Sequence, residues 1–380
     1  MIGGLILERS QTKIKALAAI AALPMIALAA PVQAQQAGDK IPGSYICVFD
    51  ANKVSRGNAM AEAQRSAQAA QGQLRHVYSV AIRGFAVNAA PQAIANMQAN
   101  NPNISYCEQD QVMTVIQRKL GGGGSTQPAQ ETPWGIAWVN GGRPGTFATA
   151  WVIDSGVQLN HPDLNVDTVR SRNFTGSGDA SDQNGHGTHV AGTIAAIDNT
   201  IGVIGVAPGA PVVSVRVLDR RGSGSTSGVI AGVDYVAQFG RPGDVANMSL
   251  GGGISTTLDN AVIAASAGGV RFVLAAGNES QNAANSSPAR ANGPNIYTIS
   301  SFAVGDNWSS FSNFGNPPVD FAEPGSAIKS TWIGSGYNTI SGTLMAAPHF
   351  AGILLQGAPG NGGRVNGDPD GNADTIGVVP

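Results

Sequence analysis

The chain has 380 residues, 42% of them apolar and only 12% charged, with a formal net charge of -2. That is room for one large domain and a smaller one, and a lightly charged surface without an Arg/Lys-rich run or an acidic tail speaks against nucleic-acid binding and against disorder. The 51 glycines follow no collagen-like period.

At the N-terminus, Arg9, Lys13 and Lys15 precede an apolar run from Ala16 to Ala30 that Pro24 interrupts. A run so short and broken suits an export signal better than a membrane anchor or a buried helix. Val32-Gln33-Ala34 sets small residues where a signal peptidase cuts. Residues 1–34 therefore read as a signal peptide cleaved after Ala34, and the product as secreted.

Residues 35–118 read as a small α+β domain. Tyr45–Phe49 is strand-like, Gly57–Gln71 is rich in helix formers, and Leu74–Val80 and Gly84–Val87 are two more strands. Pro91 opens a helix to Met97, and Ile104–Cys107 is a last strand, which completes a ferredoxin-like βαββαβ order. In that topology the first and last strands are antiparallel neighbours, which makes a disulfide between Cys47 and Cys107, the only cysteines, plausible in an oxidising compartment. Neither belongs to a C-x-x-C pair. Gly121–Ser125, with Thr126, Gln127 and Pro128 after it, marks a flexible linker or processing region over 119–131.

From 132 to 355 the pattern becomes α/β. Apolar strands are expected at Ala148–Ile153, Val212–Leu218, Val245–Leu250, Val270–Ala276 and Ile296–Ser300. Helices are expected at Thr188–Ile197, Thr226–Phe239, Thr257–Ala267 and Thr343–Leu355. Continuous Val/Ile/Ala strands separated by helices imply a mainly parallel sheet covered on both faces, with functional residues beyond the carboxyl ends of its strands. Residues 356–380 read as a Gly/Asp/Pro-rich polar tail; Asp368, Asp370 and Asp374 do not match the spacing of an EF-hand.

Three segments place polar residues where that rule expects them. Asp154 ends a buried strand, His186 opens a small-residue helix within Gly185–Thr193, and Gly342-Thr343 opens another within Ser341–His349. A strand-end Asp or a lone His is usually structural, but the three in this order suggest a triad. No G-x-G-x-x-G follows the first strand, which removes a dinucleotide-binding domain.

The segments VIDSGV (152–157), NGHGTHVAGT (184–193), VRVLDRRGSGS (215–225), NMSLGGG (247–253), AAGN (275–278) and SGTLMAAPH (341–349) occur in order. Through them the chain resembles the subtilisin-like serine proteases, most closely their proteinase K-like branch, from about Pro133 to Gly352. YICVF (45–49), HVYSVAIRGFAVN (76–88) and ISYCEQD (104–110) resemble that family's inhibitory propeptide. The resemblance implies a subtilisin-like fold in which Asp154 orients His186 as general base and Asn278 donates to the oxyanion, a donor typically worth about 10²–10³ in rate. It implies that Gly222, Ser223 and Gly224 on one side, and Ser249, Leu250 and Gly251 on the other, flank an extended peptide by strand addition. Ala275, Ala276 and Gly277 would wall the specificity pocket.

The departure is at the nucleophile. The family reads Gly-Thr-Ser-Met-Ala, whereas this chain reads Gly342-Thr343-Leu344-Met345-Ala346. Leucine has no oxygen to attack with and no proton to yield. Thr343 and Ser341 are poor substitutes, because one residue around a helix start turns a side chain by roughly 100°. For this family, loss of the nucleophile costs about 10⁶ in turnover, with roughly 10³–10⁴ over water remaining. The chain as written is therefore expected to be proteolytically inactive, either a silenced endopeptidase or a peptide-binding pseudoprotease. Its propeptide is expected to stay attached as an intramolecular inhibitor, and the protein to be a monomer that acts on or binds polypeptides.

The chemistry needs no cofactor. His186 and His189 have a spacing that also suits zinc, but no third ligand accompanies them. By the same resemblance, Asp320 with the carbonyls of Pro294 and Ile296 could form a structural calcium site, with a capped loop as the alternative.

Overall fold

The computed structural model describes Met1 and residues 36–115, 118–119 and 127–380. The signal peptide and the Gly121–Ser125 linker expected from the sequence lie outside the described residues.

The N-terminal domain has the expected order: β1 (Lys40–Phe49), α1 (Ala59–Ala69), β2 (Gln73–Tyr78), β3 (Gly84–Asn88), α2 (Pro91–Asn100) and β4 (Ile104–Thr114). β1 lies between β3 and β4, antiparallel to both, with Cys47 opposite Cys107. The two cysteines are joined as a disulfide. Successive residues of a strand face opposite ways, and both faces of this sheet are used. Cys47, Phe49, Phe85 and Val87 pack against Ala59, Ala63, Ile94 and Met97 of the two helices. Ile46, Ala86 and Tyr78 join the core of the larger domain.

β4 is longer than the sequence suggested. Its first half pairs with β1, and its second half extends the same six-stranded sheet by pairing antiparallel with β9 (Ser223–Ser225) and β11 (Gly251–Gly252). Those partners come from the second domain, so sequence periodicity within 104–114 could not reveal them. Next come β5 (Arg118–Lys119), which pairs with β17 (Gly336–Ser341), and the short α3 (Trp134–Trp138).

The second domain is built on β6 (Ala150–Asp154), β7 (Arg172–Asn173), β8 (Val212–Arg216), β10 (Val245–Met248), β12 (Arg271–Ala275), β13 (Ile296–Ala303) and β15 (Val319–Pro324). They run parallel in the order β15-β13-β12-β10-β6-β8-β7. α4 (His186–Ala195) and α7 (Thr343–Gln356) contribute to the core on one face, with Val152 and Val273. α5 (Thr226–Phe239) and α6 (Thr256–Ser266) contribute to the other, with Trp151, Ile153 and Phe272. The alternation Trp151/Val152/Ile153 is thus a strand buried on both sides, as its unbroken apolar run implied.

Two parts differ from the sequence reading. After β13, the chain adds β14 (Asn307–Trp308), β15, β16 (Ile328–Trp332) and β17, of which β16 and β17 form a hairpin. In β16 and β17, Lys329, Ser330, Thr331, Asn338, Thr339 and Ser341 break up the apolar run that marks the other strands. The expected polar tail is instead part of the domain: β18 (Gly360–Arg364) pairs with β19 (Thr375–Val378), and β19 adds to β15 in parallel. Buried Ile376, packed with Phe302 and Ala322, and buried Val379 hold it there.

Candidate active site

Asp154 is the last residue of β6 and is fully buried. His186 opens α4, also fully buried, with Nδ1 at 2.9 and 3.0 Å from the two carboxylate oxygens of Asp154. Glycine makes the approach possible: a Cβ on Gly187 would lie 2.0 Å from the carbonyl oxygen of Gly156. The opposite ring nitrogen, Nε2, is buried and has no hydrogen-bond partner among the described residues.

A second carboxylate, which the sequence reading missed, builds this corner. Asp182 accepts the amides of Asn184 and Gly185 at 2.8 and 2.9 Å, and the amide and hydroxyl of Thr188 at 2.9 and 2.7 Å. It also accepts Ser155 Oγ–H at 2.9 Å, and Ser155 Oγ in turn accepts the Gly187 amide at 3.0 Å. Asp182 thus ties the start of α4 to the residue after Asp154. Burial raises its pKa while these donors pull it down. Its signal in sequence was an Asp shortly before a helix start, a capping pattern.

At the start of α7, Leu344 is 4% exposed and part of the core. Neither neighbouring hydroxyl is directed to His186. Thr343 Oγ1 accepts the Gly277 amide and donates to Asn278 Oδ1, both at 3.0 Å, and Ser341 Oγ accepts the Ala327 amide at 2.8 Å. Asn278 Oδ1 also accepts the Thr343 amide at 2.8 Å. With Oδ1 held there, the donor end of the amide lies beside Gly342, where a Cβ would approach Nδ2 to 3.1 Å. Ala275 and Ala276 are buried at the end of β12, and Gly277 is held by Asn313, whose amide donates to its carbonyl at 3.0 Å.

A groove separates β9 from β11, and the chain's own β4 fills it. Val112, Met113 and Thr114 pair with Ser225, Gly224 and Ser223 on one side, while Thr114 and Met113 pair with Gly251 and Gly252 on the other. The Val115 amide donates to the Gly222 carbonyl at 3.0 Å. Beyond, Arg118 pairs with Ser341 and Lys119 with Ile340. Leu250 is buried, and the Ser249 hydroxyl turns to the carbonyl of Leu344.

Elsewhere, Asp234 of α5 accepts the amides of Ser79, Val80 and Ala81, and Asp110 of β4 accepts the Ser227 amide at the start of α5. His189 lies in the core, Nε2 at 3.0 Å from the Ile328 carbonyl, and burial pushes its pKa down to about 3. Among the described residues, no three His, Cys, Asp or Glu side chains gather to hold a metal. Asp320 accepts the Thr298 amide at 2.9 Å, and burial, with Asp374 nearby, raises its pKa to about 6. The carboxylate of Asp320 and the carbonyls of Pro294 and Ile296 are oxygen donors, the ligand type that a hard cation takes.

Comparison with known proteins identifies the family. Residues 150–358 match the model of the subtilase family, Peptidase_S8. The chain is 43% identical over 294 residues to alkaline serine exoprotease A of Vibrio alginolyticus, covering 74% of this chain and 52% of that protein. It is 38% identical over 310 residues to the subtilisin-like serine protease AsES of Sarocladium strictum, covering 76% and 75%. With proteinase R of Parengyodontium album it shares 34% identity over 332 residues, covering 83% and 79%. The crystal structure of a cold-adapted subtilisin-like serine proteinase superposes with a TM-score of 0.54 at 43% identity, covering 65% of this chain and 97% of that one. By its fold and by these matches, the chain belongs to the subtilase family of serine proteases.

Proposed function

We propose that the chain is the precursor of a secreted subtilisin-like endopeptidase whose nucleophile position is taken by Leu344, so that as written it does not hydrolyse peptide bonds. The observation that carries this is the buried His186 Nε2: the base is held by Asp154 and, among the described residues, has no hydroxyl to deprotonate. With serine at 344, His186 would take its proton through Nε2, Asp154 would stabilise the imidazolium formed, and Asn278 would donate to the oxyanion.

In this reading the N-terminal domain is the inhibitory propeptide, and its strand β4 occupies the place of an extended substrate. Main-chain pairing to Gly222–Gly224 and to the Ser249–Gly251 wall tolerates many sequences, which suits broad specificity for polypeptides, and Ala275–Gly277 would bound the side-chain pocket. No cofactor enters the chemistry. Asp320 with the carbonyls of Pro294 and Ile296 would hold a structural calcium away from the reacting atoms. Secretion is supported by the signal-like N-terminus, and no helix among the described residues is long and apolar enough to cross a membrane. The protein would act as a monomer.

A second reading, a pseudoprotease that only binds peptides, is favoured by the filled groove. The test compares the chain with its Leu344→Ser variant by intact mass and by digestion of a generic protein substrate, with and without a serine-directed inhibitor. Only the variant should shed the N-terminal domain and digest protein. An inert variant would leave the peptide-binding reading.

A further inference from the structure

An α-helical carbonyl ordinarily accepts the amide four residues on, and proline has none to give. In α7 the residue four beyond Leu344 is Pro348. The carbonyl at the nucleophile position is therefore deprived of its helical donor in a site that is nearly fully buried, where an unpaired carbonyl is costly. The donor comes from outside the helix: Ser249 Oγ lies 2.7 Å from the Leu344 carbonyl oxygen. That hydroxyl is itself oriented by Asn247, whose Nδ2 donates to it at 2.8 Å. Asn247 and Ser249 are 1% and 0% exposed. Asn247 lies in β10, opposite Val152 of β6, the strand that ends at Asp154.

We infer that Ser249 is a positioning residue, which through the main-chain carbonyl at 344 sets the nucleophile position relative to the strand that carries Asp154. This rests on the proposed endopeptidase reading of the site. The chain Asn247–Ser249–344 carbonyl is a hydrogen-bonded strut from the central sheet to the first turn of α7. Pro348 makes the strut necessary, because it hands the anchoring of that carbonyl from the helix to the groove wall. Ser249 touches no reacting atom in this role.

Two measurements test it. In the chain as written, Ser249→Ala should speed amide hydrogen exchange across 342–347 about five- to tenfold, the loss of roughly one hydrogen bond. Ser249→Ala/Pro348→Ala, which returns an amide to the helix, should restore most of the protection. Should Ser249→Ala not fold, Ser249→Cys, a weaker donor of similar size, should give a smaller change of the same sign. Unchanged exchange in the Ser249 variants overturns the inference. In the Leu344→Ser background, Ser249→Ala should lower kcat about tenfold to a hundredfold with KM within about twofold, and Pro348→Ala should recover most of it. A loss carried by KM alone would assign Ser249 to peptide binding and also overturn the inference. If Leu344→Ser is itself inert, the endopeptidase reading fails, and the exchange measurement still decides the role of Ser249.

Discussion

His186 donates its Nδ1–H to Asp154, 2.9 Å from Oδ1, while its Nε2 is buried without a partner among the described residues. In the endopeptidase reading the pair is a base and its orienter, and the side chain at 344 offers the base no proton to take. If the carboxylate fixes the imidazole tautomer, Asp154→Asn in the Leu344→Ser background should lower kcat by about 10⁴ while KM changes little. Steady-state kinetics on a chromogenic peptide checks this, and an Asn variant of near-normal kcat would sink the role given to Asp154.

The N-terminal domain is anchored at a distance from the groove by Asp234, which accepts three amides of the Ser79–Ala81 turn at 3.1, 2.9 and 2.7 Å. Hydrogen bonds to a charged acceptor are worth about 1.5–3 kcal/mol. Asp234→Asn should therefore loosen the docked domain by about 2 kcal/mol without altering α5. Limited proteolysis of the Leu344 chain should show faster cutting in residues 36–115, with the second domain as resistant as before.

The Cys47–Cys107 bond closes a loop with a sequence separation of 60, which in the chain-entropy view stabilises by about 4 kcal/mol. It also ties β1 to the strand that fills the groove. Cys47→Ser/Cys107→Ser should lower the urea midpoint of the N-terminal domain and leave the transition of the second domain in place. Coincident, unshifted transitions would show that the bond is dispensable.

Glu323 is fully buried in β15, and burial pushes its carboxyl well above the ordinary value of 4.5, with only the Gly377 amide pulling the other way. A raised acid binds its proton more tightly in the folded state. Its stabilisation is complete below the unfolded value near 4.5 and is lost as pH rises toward the raised folded value. Glu323→Gln, which cannot ionise, should thus raise Tm at pH 8 relative to the parent and change it little at pH 4. Equal shifts at both pH values would contradict this.

Asp320, with its pKa raised to about 6, would return toward the normal carboxylate range beside a bound cation. Calcium should raise Tm and a chelator lower it, and Asp320→Ala should abolish the response. Isothermal titration with calcium alone gives an independent reading. A calcium response that survives in Asp320→Ala places the ion elsewhere.

The parallel sheet, its helices, the βαββαβ order and the motifs around Asp154, His186, Asn278 and Leu344 were legible in sequence, because each rests on local signals: apolar runs, helix formers and a residue type at a strand or helix end. The absence of a hydroxyl at 344 is a fact of sequence alone. What the tertiary structure decided is how distant segments share one site. The second half of β4 becomes a strand only because Ser223–Ser225 and Gly251–Gly252 offer it edges, and β19 joins the domain only because β15 leaves an edge beside Ala322. Asp182 under Ser155, and Ser249 over the Leu344 carbonyl, bond across separations of 27 and 95 residues. Such pairings have no period and no motif. They exist because the chain's topology brings buried donors and acceptors together, and each must find a partner once water is excluded.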